Sequence, residues 1–62
     1  MTYKVWHLRT AKGYSLRELE RLSGVSKTQI NDIENGKTNP TMETLKLLAK
    51  ALDVEIFDLI EL

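Results

Sequence analysis

The stretch of sequence that decides the fold is residues 19–37, LERLSGVSKTQINDIENGK. Gly24 divides this stretch, because glycine adopts the left-handed conformation that ends a helix without a steric penalty from a Cβ atom. Ser26 follows and carries a hydroxyl that can cap the start of a new helix. Gly36 stands where that helix should end. The stretch therefore predicts two short helices joined by a tight turn.

The apolar residues of this stretch recur at helical spacing on both sides of the turn. They are Leu19, Leu22, Val25, Ile30 and Ile33. With this spacing the two helices can share one apolar seam, while the other face of the second helix is polar. Two helices that cross at a short turn form a helix-turn-helix, whose second helix can enter the major groove of DNA.

The length and composition of the chain predict one small domain over residues 1–62. The sequence has no cysteine and a single histidine, His7, so we expect neither disulfides nor a metal site. It has no apolar run of about 18 residues and no signal-peptide core, so we expect a cytoplasmic protein of bacterial or phage origin that does not enter the membrane. No nucleophile and base at catalytic spacing and no glycine-rich phosphate loop are found, so we expect no enzyme, no cofactor and no small-molecule ligand.

The charges of the chain sum to zero but are unevenly distributed. Residues 1–37 hold seven basic and four acidic side chains, a balance of +3, and residues 38–62 hold two against five, a balance of −3. This asymmetry would turn the N-terminal half toward phosphate groups and the acidic half away from them.

Three further helices are predicted around the helix-turn-helix, and no strand-like alternation is found. The first is expected over residues 2–12, and the helix before the turn should begin at Ser15, which forms a capping box with Glu18. Thr41 should cap a long helix, and a last helix should cover residues 54–62. The long helix has the clearest apolar repeat, at Leu45, Leu48, Ala49 and Leu52. These five helices predict an all-α domain.

Patterns along nearly the whole chain resemble the Cro and lambda-repressor-like helix-turn-helix domains. The matching elements are Leu8-Arg9, Ser15, Leu19, Gly24-Val25-Ser26, Ile30, residues 33–37, Pro40, and Thr44-Leu45 through Ala49 to Leu52. The resemblance implies a compact five-helix lambda-repressor-like fold with the helix-turn-helix at about residues 15–36. It also implies a transcriptional regulator, here a repressor, that binds a two-fold operator in double-stranded DNA as a homodimer, with its third helix in the major groove.

The base-contacting candidates lie on the polar face of the third helix, opposite Ile30 and Ile33. They are Lys27, Thr28 and Asp32, while Gln29 lies nearer the core side. Lysine can donate to guanine, the threonine methyl can contact thymine, and a carboxylate can accept from cytosine. The carboxylate also opposes nearby phosphates, so it either discriminates between bases or indicates weak affinity. The alternative interpretation of this face is ordinary solvation.

Phosphate contacts are expected from helix N-termini and small polar or basic side chains. The candidates are Ser15, Arg17, Asn31, Asn35, Lys37, Thr38 and Thr41. Two residues depart from the family pattern. Leu16 stands where a glutamine is customary, which puts one phosphate contact in doubt. Glu20 stands where many members have alanine, so its side chain must turn outward or widen the crossing of the two helices.

The resemblance also implies a largely enclosed ion pair between Arg9 and Glu34, with a structural role. His7 is expected on the surface, and Trp6 is expected to pack against the last helix rather than serve an exposed interface.

The C-terminal segment is more apolar than one small helix can hide in a monomer, which predicts contact with another chain. The dimer-interface candidates are Phe57, Leu59, Ile60 and Leu62. Alternatively, this helix continues into a second domain of a longer protein. A further alternative function is a protein-interaction module that keeps the fold without specific DNA binding and docks a partner through Leu16, Leu47 and the C-terminal apolar residues.

Overall fold

The structure is a computed structural model, and it describes residues 2–61. The elements in chain order are β1 (Thr2–Tyr3), α1 (Val5–Ala11), α2 (Leu16–Ser23), α3 (Lys27–Glu34), α4 (Met42–Leu52), α5 (Ile56–Leu59) and β2 (Ile60–Glu61). The five predicted helices are therefore present. The first and last are shorter than predicted, because each end of the chain contributes a short strand instead. No helix within residues 2–61 is long and apolar enough to cross a membrane.

The three longer helices begin at the capping residues that the sequence predicts. Ser15, Ser26 and Thr41 each accept a hydrogen bond from the backbone N–H three residues further along, at 3.0, 3.1 and 3.1 Å. These bonds satisfy N–H groups that have no partner inside the helix. Gly24 ends α2 at φ 80°, and Asp53 ends α4 at φ 59°, both in the left-handed conformation. The N-terminal ends of α2, α3 and α4 therefore follow from local side-chain chemistry, and the C-terminal ends of α2 and α4 follow from residues in the left-handed conformation.

The core lies where α2, α3 and α4 meet, with α1 and α5 packed against them. Its buried apolar residues are Val5, Leu19, Val25, Ile30, Ile33, Leu45, Leu48, Ala49, Leu52 and Leu59. Leu22 is 40% exposed, so the expectation that it belongs to the apolar seam is wrong. Of the two seam residues predicted in α2, only Leu19 is buried.

A two-stranded antiparallel ribbon joins the two ends of the chain, which the sequence did not predict. Thr2 lies opposite Glu61 and Tyr3 lies opposite Ile60. The backbone N–H of Lys4 extends the pairing by donating to the carbonyl of Leu59 at 2.7 Å. The ribbon fixes the start of α1 against the end of α5.

The burial of the side chains differs from two other expectations, those for Leu59 and Trp6. Leu59 is completely buried, so it is not available as a dimer-interface residue. Trp6, expected to pack against the last helix, is 51% exposed, and its ring makes an edge contact with His7 at a centroid distance of 5.2 Å. The interface candidate Leu62 lies outside the described residues.

Candidate nucleic-acid interface

The crossing of α2 and α3 is a closely packed apolar joint. Leu19 from α2 packs with Val25, Ile30 and Ile33, and none of the four is more than 4% exposed. The hydroxyl of Ser23, which is buried, accepts a hydrogen bond from the Val25 N–H at 3.0 Å inside the turn. Because these contacts enclose one face of α3, the opposite face of that helix is fixed in direction and open to solvent.

The outward face of α3 holds the predicted base-contacting residues. Lys27 and Thr28 are exposed in the first turn, and Asp32 is half-buried one turn later. Gln29 is also exposed, although the helical geometry of the sequence placed it nearer the core. The first turn of α3 therefore presents three adjacent polar side chains capable of hydrogen bonding to bases, and Gln29 is a candidate that the sequence did not single out.

The N-terminus of α3 is held by side chains on both sides of the turn. The hydroxyl of Ser26 caps Gln29, and the carboxylate of Glu20 accepts a hydrogen bond from the Lys27 N–H at 2.9 Å. Glu20 is half-buried in α2 and points toward the start of α3. Glu20, which stands where many members of the family have alanine, is thus accommodated by a hydrogen bond between α2 and α3. Leu16, the other departure, packs partly buried against the core.

The predicted phosphate-contacting residues are all exposed and occupy three places along the chain. Ser15 and Arg17 lie at the start of α2, Asn31 on α3 with Asn35 at its C-terminal cap, and Lys37, Thr38 and Thr41 between α3 and α4. Some of these polar groups already have intramolecular partners. The amide of Asn35 donates to the Asn31 carbonyl at 2.9 Å and to its side-chain oxygen at 3.2 Å, while Ser15 and Thr41 serve as caps.

The basic residue Arg21, also on α2, is engaged by a neighbouring carboxylate. Its guanidinium donates to Glu18, so the capping box expected at Ser15 is present only in its serine half. The hydrogen bond to Glu18 and the charge of that carboxylate raise the pKa of Arg21 above its ordinary value. The positive charge of Arg21 is therefore offset locally by Glu18.

The C-terminal end of α3 is tied to α1 by the predicted ion pair. Arg9 donates from Nε to Glu34 Oε2 at 2.6 Å and from Nη2 to Glu34 Oε1 at 3.0 Å. Its Nη1 donates to the backbone carbonyl of Tyr14 at 2.8 Å. The side chains of Arg9 and Glu34 are 11% and 5% exposed, so the pair lies inside the fold and orients α3 rather than facing a ligand.

The packed crossing, the capped turn and the exposed polar first turn of α3 define a helix-turn-helix domain. The residues from 7 to 59 match a family model described as helix-turn-helix, and the chain belongs to this family. Within residues 2–61, no cluster of three or more histidine, cysteine or acidic side chains could hold a metal ion.

The curated relatives of the chain are bacterial transcriptional regulators. The regulator DdrOP3 of Deinococcus deserti is 35% identical over 54 residues, which cover 87% of this chain and 42% of that protein. The regulator SinR of Bacillus subtilis is 37% identical over 59 residues, which cover 94% of this chain and 53% of that protein. The chain thus spans about half or less of the length of these relatives.

Solved structures share the arrangement of the helices. The restriction-modification controller protein C.AhdI from Aeromonas hydrophila has a TM-score of 0.85 and 36% identity, covering 89% of this chain and 83% of that one. SinR in complex with DNA has a TM-score of 0.81 and 38% identity, covering 87% of each chain. The fold is therefore the lambda-repressor-like fold of helix-turn-helix regulators.

Proposed function

We propose that the chain is a DNA-binding domain of a bacterial, cytoplasmic transcriptional regulator and recognises a double-stranded operator sequence-specifically. The observation that carries this proposal is that the side chains in the first turn of α3 are exposed, while the opposite face of the same helix is buried against α2. A helix held in this way can enter the major groove with its N-terminal side chains nearest the bases. The likeness to SinR, which was solved in complex with DNA, supports DNA as the ligand.

Within this proposal the residues of α3 have separate roles. Lys27 donates to guanine O6 or N7, the methyl group of Thr28 contacts a thymine methyl, and Asp32 accepts from cytosine N4. The exposed polar and basic groups at the start of α2 and between α3 and α4 contact the phosphates on either side of the groove. These contacts fix the register of the domain on the duplex.

We further propose that the protein binds a two-fold operator as a homodimer and represses transcription by occupying it. Phe57 is 84% exposed on α5 and, with the half-buried Ile60, supports an interface with a second copy. Two copies related by a two-fold axis would place their α3 helices in successive major grooves, about 34–36 Å apart along one face of the DNA.

Titration of fluorescent duplex pools at several salt concentrations tests this function. Binding should weaken steeply with salt, because contacts to phosphates release bound counterions. Lys27→Ala should weaken binding, while Lys50→Ala, the same change at an exposed site in the last turn of α4, should not. If no duplex binds at low salt, the proposed function is wrong.

A protein-interaction module is the second candidate function. The exposed apolar residues Leu47, at 39%, and Phe57 favour it, whereas Leu16 is partly buried and contributes less than expected. This function predicts that no duplex binds and that Lys27→Ala has no effect on partner binding. The same titration therefore separates the two candidates.

A further inference from the structure

Glu20 holds the chain at both ends of the turn between α2 and α3. Its backbone carbonyl accepts a hydrogen bond from the Gly24 N–H at 2.8 Å, and its carboxylate accepts one from the Lys27 N–H at 2.9 Å. The first contact ends α2 and the second begins α3. A single residue therefore couples the direction of α3 to α2, in addition to the apolar packing beneath the turn.

The Glu20 carboxylate also changes the electrostatics at the start of α3. Lys27 is the first residue of that helix, so the negative charge lies at the positive end of the helix dipole, where it is stabilising. A hydrogen bond from a backbone N–H to a carboxylate is stronger than one between neutral groups. With Ser26 capping Gln29, two N–H groups of the first turn already have acceptors within the protein. A phosphate that approaches this end of α3 therefore meets a fixed negative charge, and the Lys27 and Gln29 N–H groups are already engaged.

We propose that Glu20 is a positioning residue that sets the direction of the first turn of α3 and repels phosphate from its N-terminus. The inference rests on the proposed DNA-binding function. Glu20 weakens non-specific binding, because such binding depends on phosphate contacts. In the specific complex the same residue holds the first turn of α3 in the direction that Lys27 and Thr28 need for base contacts, which offsets the repulsion, so Glu20 raises the ratio of specific to non-specific binding.

The positioning role is tested without DNA, by NMR of the Lys27 backbone amide in three variants. Glu20→Ala removes the acceptor, so the Lys27 amide should exchange about fivefold faster with water, the change that corresponds to the loss of a typical helix cap. Glu20→Gln keeps an oxygen acceptor and should restore most of the protection. Glu61→Gln is the matched control, since it neutralises a carboxylate that accepts a hydrogen bond from Thr2 in the terminal ribbon. Unchanged exchange of the Lys27 amide in Glu20→Ala would overturn the positioning role.

The electrostatic role is tested with random-sequence duplexes and with the best duplex obtained by selection. Glu20→Gln should bind random duplexes about two- to fivefold more tightly, the range expected for one partly exposed charge, and Glu61→Gln should not. The ratio of the affinity for the selected duplex to the affinity for random duplexes should fall by a similar factor in Glu20→Gln. Unchanged affinity for random duplexes in Glu20→Gln overturns this role. If the wild type binds no duplex, this role fails together with the proposed function, while the amide measurement still decides the positioning role.

Discussion

At the scale of single residues, the ion pair between Arg9 and Glu34 is the more enclosed of the two ion pairs within residues 2–61. Both carboxylate oxygens of Glu34 accept from the guanidinium, and Arg9 also donates to the Tyr14 carbonyl. Burying the two charges costs free energy that their attraction only partly offsets, so the pair need not add net stability. Removing one partner is different, because it leaves the other charge enclosed without compensation.

Glu34→Ala should therefore lower the free energy of unfolding by about 3–5 kcal/mol. Urea denaturation followed by circular dichroism measures the change. Glu43→Ala is the control, because Glu43 is exposed in the first turn of α4, and it should change the stability by less than about 1 kcal/mol, the scale of one charge at a helix N-terminus. Replacing both partners by apolar residues, as Arg9→Met with Glu34→Leu, should cost less than Glu34→Ala alone. A midpoint in Glu34→Ala equal to that of the wild type would contradict this description of the pair.

At the scale of elements, the turn between α2 and α3 depends on the backbone conformation of Gly24 and not on close packing there. Gly24 has φ 80°, and a Cβ atom built on it would have no neighbour within 4 Å. A substitution at this position is therefore penalised by the left-handed conformation alone, without a steric clash.

Gly24→Ala should destabilise the domain by about 1–2 kcal/mol, the penalty for an L residue in the left-handed region. Gly24→Asn should cost clearly less, because asparagine tolerates that conformation better. Thermal unfolding of the two variants beside the wild type makes the comparison. Equal losses in the alanine and asparagine variants would show that something other than the backbone conformation is responsible.

The elements that the sequence predicts are those whose ends are determined locally. The residues that end or begin these helices act on backbone groups only a few positions away, so the helix ends can be predicted from the neighbouring sequence. They are Ser15, Ser26, Thr41 and Gly24. The terminal ribbon could not be predicted, because two-residue strands show no alternation and their partners come from opposite ends of the chain. The burial of Leu59 was missed for a related reason, since a four-residue helix is too short for a periodic pattern to indicate its inner face.

Within the candidate site, too, features that depend on nearby residues could be predicted, and contacts between elements could not. The apolar repeat of Ile30 and Ile33 identifies the buried face of α3, and this places Lys27 and Thr28 on the open face. The contact of Glu20 with the Lys27 N–H could not be predicted, because it depends on how closely two helices approach and on one side-chain conformation. The periodicity of the sequence gives the direction of a side chain but not its hydrogen-bond partner.

At the scale of the whole molecule, the proposed homodimer depends on a small apolar surface at the C-terminal end of the described chain. Phe57 is the most exposed of the large apolar side chains there, and Leu59 beside it is buried. Aromatic residues that become buried at the centre of an interface often contribute most of its affinity. Of the other described candidates, Ile60 is half-buried and contributes only at the margin of this surface.

Phe57→Ser should weaken self-association at least about tenfold, the effect of truncating a central interface aromatic. Sedimentation equilibrium over a range of protein concentrations measures it. Met42→Ser removes another exposed apolar side chain, at the opposite end of α4 from α5, and should leave the association constant unchanged. Equal association of the Phe57→Ser variant and the wild type would exclude this surface as the dimer interface.

Selection of binding sites from a pool of random duplex DNA tests the central proposal, recognition of an operator by α3, most directly. The selected sequences should converge on a two-fold motif whose half-sites lie one helical turn apart, and Lys27→Ala should change the bases preferred within each half-site. A pool that shows no enrichment after repeated rounds at low salt would contradict recognition by α3. The same conclusion would follow if Lys27→Ala selected the same sequences with the same affinity.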